Sequence, residues 1–348
     1  MYTASITGAV YSFINNSIMN INWTDVKTFF INQNEVTKIQ LNGTTLWQKS
    51  SGPTPGPDYT EPFYIENPNN SAITATIKKY PKSAPTLSIQ YSSDKTTWTT
   101  LGNTSTGGLT ISVPANSKMY FRCKTNYWYN NTYYNNFTAS SSFNIGGNIM
   151  SLLYGYNFTG EETSLPSVSS TNYYSLGGIF KNSVNLIDAS NLLLPATTLT
   201  QYCYGDMFSG CTQLTTPPVT LPATTLANYC YYYMFDGCSS LTTPPVLPAT
   251  TLVQGCYNGM FYSCSSLTTA PELPATTLAQ RCYYYMFYGC SRLNYIKCLA
   301  TDISASNCTS NWVNGVSATG TFVKDPTMSS WTSGNNGIHS GWTVQDAS

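Results

Sequence analysis

The sequence predicts an α+β multidomain chain. A small β-rich N-terminal anchor precedes a β-sandwich, and a C-terminal solenoid with one strand and one helix per repeat follows. Three observations predict this. Residues 36–48 hold two alternating runs around Asn42-Gly43, a hairpin signal. Residues 59–145 alternate apolar and polar positions between closely spaced turns, as sandwich strands do. From Leu194 onward one unit recurs at a fixed period, which marks a solenoid. The expected boundaries are 1–49 for the anchor module, 50–58 for a linker, 59–145 for the sandwich, 146–315 for the solenoid and 316–348 for a C-terminal cap.

The N-terminal hairpin reads "VTKIQLNGTTLWQ", and "SSGPTPGPD" follows it. A Pro-, Gly- and Ser-rich stretch of this kind is a semi-extended spacer. Small module, spacer and larger module together suggest an anchor and a displayed part. In the next segment, "SAITATIKKY", "TLSIQYSSD", "TTWTTLG" and "LTISVPANSKMYFRCKT" read as strands. The segment "NYWYNNTYYNN", residues 126–136, reads as a polar-aromatic loop. Such a loop either packs on its own sheet or binds a glycan.

The string Leu-Pro-Ala-Thr-Thr-Leu starts at Leu194, Leu221, Leu247 and Leu273, giving steps of 27, 26 and 26. Cys203, Cys230, Cys256 and Cys282 repeat with the same steps, as do Cys211, Cys238, Cys264 and Cys290. Within the first unit, Thr198 is placed to cap a helix over about Leu199–Ser209, and Gly210 to end it. Leu214-Thr-Thr-Pro-Pro reads as a short strand closed by proline. On a helical wheel Cys203, Tyr204, Met207, Phe208 and Cys211 share one face. These positions hold nearly constant between units, which marks them as core. The opposite face varies and carries Tyr202, Tyr229, Tyr232, Tyr233, Tyr262, Tyr284, Tyr285 and Tyr288. Weaker units flank the four: Phe180, Ser183 and Leu186 match Phe208, Cys211 and Leu214, and Cys308 and Trp312 match Cys282 and Met286. Degenerate end units close a solenoid core.

Small, apolar cysteine suits a tight core, so core thiols are the first reading of the repeated cysteines; disulfides remain open. Metal ligation is disfavoured. Paired cysteines lie eight apart rather than at zinc-site spacing, and His339 is the single histidine. No metal and no cofactor is expected.

Only 9% of residues are charged, with 15 basic balancing 15 acidic. That balance offers no footprint for nucleic acid or anionic membrane. No stretch approaches the roughly 18 apolar residues of a membrane span, so no membrane insertion is expected. An enzyme is also disfavoured. Glycoside cleavage needs two carboxylates facing each other, whereas Glu161 and Glu162 are chain neighbours, and one histidine serves no triad. Aromatic content is 14%, mostly the 28 tyrosines. The surface therefore reads as uncharged and polar-aromatic, as on extracellular or virion-exposed proteins. The opening "MYTASITGAVYSFINNSIMNINW" does not read as a secretory signal. Together these suggest a phage structural protein released by lysis.

At the level of motifs, "MFSGCTQLTTPPVTLPATTLANYCYYYMF" and "MFYSCSSLTTAPELPATTLAQRCYYYMF" resemble BspA-like leucine-rich repeats. Such repeats occur in surface and adhesion proteins of Bacteroides-type bacteria and in their phages, crAss-like phage structural proteins included. "GNIMSLLYGYNF" is similar to the usual lead-in, and "GVSATGTFVKDPTMSSWTSGNNGIHSGWTV" to the usual end. The resemblance covers roughly residues 140–348 and departs at His339, where proline is expected. "IQYSSDKTTWTTL" resembles immunoglobulin-like spacer domains, and the hairpin resembles N-terminal modules of Bacteroides phage structural proteins. What the resemblance implies is adhesion rather than catalysis.

The expected function is thus a non-enzymatic virion protein: head fibre, capsid decoration or tail fibre. Residues 1–50 would hold capsid or tail proteins, and the repeat module would contact host-surface or gut glycans or proteins. The eight outward tyrosines are the candidate ligand-binding face; otherwise they cover the solenoid or pack on a neighbouring subunit. The strand side, with Thr215, Thr242 and Thr268, is the other candidate surface. A symmetric dimer or trimer is expected. The alternative is a secreted bacterial cell-surface adhesin.

Overall fold

A computed structural model describes residues 57–80, 86–123, 134–165, 176–329 and 331–348, together with the strand backbones of the first 48 residues. The chain divides into two compact units, Met1–Pro57 and Asp58–Ser348.

In the first unit, β1 (Tyr2–Ile6), β2 (Ala9–Phe13), β3 (Phe29–Ile31) and β4 (Asn34–Val36) form one antiparallel sheet in the order β2-β1-β3-β4. β5 (Lys38–Leu41) and β6 (Thr44–Gln48) pair separately, with Leu41 opposite Thr44. Asn42, Gly43 and linker residues 51–56 lie outside the described residues.

The second unit opens with two sheets. β7 (Tyr64–Asn67), β9 (Ser88–Ser92), β10 (Thr99–Asn103), β12 (Ser117–Cys123) and β14 (Phe143–Asn148) belong to one sheet. β8 (Ile73–Tyr80) lies between β11 (Leu109–Val113) and β13 (Tyr134–Ala139) in the other. Side chains at alternate positions fill the core: Ile73, Ala75 and Ile77 from β8, Phe121 and Cys123 from β12, Phe143 and Ile145 from β14. Period-2 alternation does this because successive side chains leave a strand on opposite faces. Phe63, Phe121 and Phe137 meet at the centre, with centroids 5.2–6.2 Å apart. Of the polar-aromatic loop, residues 126–133 fall outside the described residues and 134–136 begin β13.

β15 (Leu186–Leu193) extends the first sheet by pairing parallel to β14. Here the repeats begin, and here the expected architecture fails. Among the described residues the single α-helix is Ser151–Tyr154, ahead of the repeats. The strand-plus-helix leucine-rich repeat is therefore wrong for this chain: the structure is β-rich, and no repeat contains a helix. Each segment expected to be helical is a ribbon of successive turns. Its backbone reverses into the left-handed region at every fourth residue: Tyr202, Asp206 and Gly210, then Tyr229, Tyr233 and Gly237, then Gly255, Gly259 and Ser263. A left-handed residue breaks the run of right-handed φ/ψ that a helix needs.

Hydrogen bonding shows what replaces the helix. Alternate N–H groups stay local: Cys203 donates to Thr200, Gly205 to Tyr202, Met207 to Tyr204 and Ser209 to Asp206. The intervening ones cross to the next unit: Tyr204 donates to Cys230, Asp206 to Tyr232, Phe208 to Met234 and Gly210 to Asp236, at 2.7–3.0 Å. A helix keeps all its backbone bonds within one segment; this ribbon shares half of them with its neighbour. The Leu-Thr-Thr-Pro-Pro segments also form no regular strand. The first of them pairs through the isolated parallel bridge Asp188↔Thr216, since proline has no N–H for a longer ladder.

Side chains stack in the same rhythm. Phe180, Phe208, Phe235, Phe261 and Phe287 form one buried row with centroids 5.2–5.8 Å apart. Tyr204, Tyr231, Tyr257, Tyr283 and Trp312 form a second at 5.6–6.2 Å. Both weaker units take part. Phe180 also touches Phe63 and Phe137, so the first row runs into the sandwich core. At the far end β16 (Tyr295–Cys298), β17 (Gly320–Lys324) and β18 (Trp342–Asp346) pair in parallel. Trp331 stacks on Trp312, whose Nε1–H donates to Gly337 O at 2.7 Å.

Candidate functional site

The turn ribbon places all eight candidate tyrosines on one side of the coil, each half-buried. Their rings form one connected network. Tyr202 stacks on Tyr229 at 4.9 Å, and Tyr262 stacks on Tyr288 at 4.8 Å. Tyr232 meets Tyr202, Tyr229 and Tyr233 edge-on, at 5.8, 5.9 and 4.6 Å. Tyr233 reaches Tyr262, and Tyr285 joins Tyr262, Tyr284 and Tyr288. The third unit has glycines where its neighbours have side chains. A methyl at Gly255 would fall on the ring of Tyr229, and one at Gly259 would lie 2.6 Å from the ring of Tyr233. Many faces are occupied by the next ring or by glycine backbone, leaving edges and hydroxyls to solvent.

Four of the eight, Tyr202, Tyr229, Tyr233 and Tyr285, have φ between 48° and 57°. Left-handed backbone is uncommon for bulky residues and costs about 1–2 kcal/mol per residue relative to right-handed backbone. Burial raises the hydroxyl pKa of Tyr202, Tyr232, Tyr233 and Tyr262. A hydrogen bond with Tyr284 is the main cause of the upward shift at Tyr285. These hydroxyls are neutral donors at physiological pH. Beside them, Lys181 Nζ lies 3.2 Å from Asp206 Oδ1, and Ser209 Oγ donates to Asp236 at 3.3 Å.

On the opposite candidate surface Thr215, Thr242 and Thr268 are exposed. The Thr215 hydroxyl donates to Ile187 O at 2.9 Å, so it serves stacking as well as solvent.

All 11 cysteines are buried, and the ten from Cys203 to Cys308 are free thiols. The two in each unit differ in role. The second donates its S–H to the phenylalanine carbonyl of the preceding unit: Cys211 to Phe180 at 3.0 Å, Cys238 to Phe208 at 3.2 Å, Cys264 to Phe235 at 3.1 Å and Cys290 to Phe261 at 3.0 Å. The first sits only 3.9 Å from the carbonyl of its successor, as Cys203 from Cys230. Burial pushes Cys203, Cys211, Cys290 and Cys298 up to about 12. Reactive or metal-binding cysteines need an accessible thiolate. Among the described residues no cluster of His, Cys, Asp or Glu suits a metal ion.

Glu162 accepts from the N–H and hydroxyl of Thr159 and the N–H of Gly160, which fixes a turn. His339 Nδ1 accepts from Gly341 N–H at 3.4 Å. No helix among the described residues is long and apolar enough to cross a membrane.

One site had no sequence signature. Thr60, Pro62, Lys95, Trp98, Arg122 and Phe158 line a cavity of about 330 Å³ beside the sandwich. Its residues come from four separate stretches of chain, so no motif announces it. No protein-family model, no curated protein and no solved structure matches this sequence.

Proposed function

We propose that this chain is a non-enzymatic phage virion-surface protein, a head fibre, capsid decoration or tail fibre. It displays its repeat coil for adhesion to host-surface or gut glycans or proteins. The observation that carries the reading is tyrosine at ribbon positions whose backbone favours glycine. Residues held in disfavoured φ/ψ persist where the surroundings over-determine them, and they concentrate at functional sites. Glycine stands at the equivalent positions Gly255 and Gly259, so the coil does not require a ring there. The tyrosine network therefore serves its neighbours or a ligand. Its hydroxyls and edges form a long row of weak hydrogen-bonding and apolar contacts. Many such rows on one particle would add avidity without a tight single site.

The test replaces Tyr229 and Tyr233 with glycine, which relieves the backbone while removing the rings. Binding of the whole chain to a glycan array and to Bacteroides-type cells is then compared with wild type. Retained folding with a several-fold loss of binding supports the adhesive role. Retained folding with unchanged binding overturns it. Immunogold labelling of purified phage with an antibody to residues 194–298 places the protein. Label on capsid or tail supports the virion assignment, and label confined to bacterial cells replaces it with a cell-surface adhesin.

A further inference from the structure

We propose that the Arg122 cavity is a binding site for a carboxylate-bearing sugar ring. The inference goes beyond the tyrosine row and does not rest on it, because the cavity lies beside the sandwich. Arg122 packs its guanidinium over the ring of Trp98 at 4.2 Å and the ring of Tyr156 at 4.6 Å. Its Nε–H donates to Gln90 Oε1 at 3.0 Å, which fixes the group in its plane. Among the described residues no carboxylate pairs with it. Nearby acids are already engaged. Glu61 faces Lys95 at 3.8 Å, Lys118 at 3.7 Å and the Tyr120 hydroxyl at 3.1 Å. Asp58 accepts from the N–H and hydroxyl of Thr60. Arg122 thus presents unused N–H groups into a cavity whose second cation is Lys95.

A planar guanidinium with free N–H groups matches a carboxylate in two parallel hydrogen bonds. Stacking on aromatic rings holds it in the required plane. The remaining lining selects what accompanies the carboxylate. Pro62, Phe158 and Trp98 are apolar or aromatic, and the C–H faces of a pyranose pack on such surfaces. Thr60 and Lys95 add polar groups to the same lining. The volume is at the small end of ligand pockets, roughly 300–1,000 Å³: room for one sugar residue. A bare phosphate would leave the apolar wall unused. A uronic acid of bacterial polysaccharide and a sialic acid of host mucin share this chemistry.

The experiment is calorimetric titration of the whole chain with glucuronic acid and with N-acetylneuraminic acid, with glucose and inorganic phosphate as comparisons. Saturable binding of either acid, at least about tenfold tighter than glucose or phosphate, is the expected result; the preferred acid names the source. Arg122→Gln should weaken that binding about tenfold or more. Arg122→Lys, which keeps the charge without the fork, should weaken it as well. Tyr229→Gly should leave it unchanged, separating this site from the tyrosine row. Equal binding of glucose or phosphate, no binding of either acid, or full binding by a folded Arg122→Gln protein would each overturn the proposal. If Arg122→Gln does not fold, Trp98→Ala replaces it, with the same loss expected.

Discussion

Cys211 and its equivalents show what one residue contributes to the coil. A thiol is small enough for the space between units and still donates a second hydrogen bond to a carbonyl that already accepts a backbone N–H, as Phe180 O does from Ser183. That environment sets a pH dependence. Burial holds these thiols neutral, with Cys203, Cys211, Cys290 and Cys298 raised from 9.0 to about 12. The unfolded chain ionises near 9 while the folded chain does not, so above that pH the native state binds more protons and stability falls. The stabilisation is complete below about pH 9 and is lost as pH rises towards 12. A urea-midpoint series from pH 7 to 11 should therefore be flat to about 9 and then decline. Over the flat range, a thiol reagent should react with the denatured protein and spare the native one. Rapid labelling of native protein at pH 8 would contradict the burial.

At the scale of the element, the ribbon explains both what the sequence revealed and what it concealed. Burial of Cys203, Tyr204, Met207, Phe208 and Cys211 was legible, because the same residues return in each unit. The tyrosines at the varying positions are half-buried rather than exposed. The helix was an error of period. A ribbon of period four and a helix of period 3.6 diverge by only about 40° per turn, and a broad apolar stripe absorbs that difference. The discriminating signal was glycine. Gly255 and Gly259 lie four apart, and Gly210, Gly237 and Gly289 share one position; glycine is poor inside a helix and suited to positive φ. The Arg122 cavity was not legible, because contacts between distant strands depend on sheet order. Two glycines test the ribbon directly. Gly237 has φ +68° with no atom nearer than 3.9 Å to an added methyl, whereas at Gly255, φ +61°, the methyl meets the Tyr229 ring. Gly237→Ala should cost about 1 kcal/mol for the backbone alone. Gly255→Ala should cost more, because Tyr229 must also leave its place. Equal losses in urea denaturation would refute that packing.

For the molecule as a whole, the parallel β14–β15 pairing joins the sandwich to the coil. Buried side chains from Phe63 to Trp342 form one cluster. The sandwich thereby covers the first turn of the coil, a protection that repeat proteins require at each end. A fragment of residues 58–348 should accordingly unfold in a single transition, because its parts share a core. A fragment of residues 176–348 exposes Phe180 and Leu186 and should aggregate. Thermal unfolding and light scattering measure both. Two well-separated transitions in the longer fragment would show that sandwich and coil are independent.

The alternation of local and crossing hydrogen bonds has a mechanical corollary. Bonds within a turn hold the ribbon's shape, while those between units lie along the stacking direction and share any load applied to the two ends of the coil. Under tension the coil would part at one junction at a time. Each detached unit would release 26 residues, about 90 Å of chain at full extension. A coil loaded in this way lengthens in nearly equal steps and dissipates work at each.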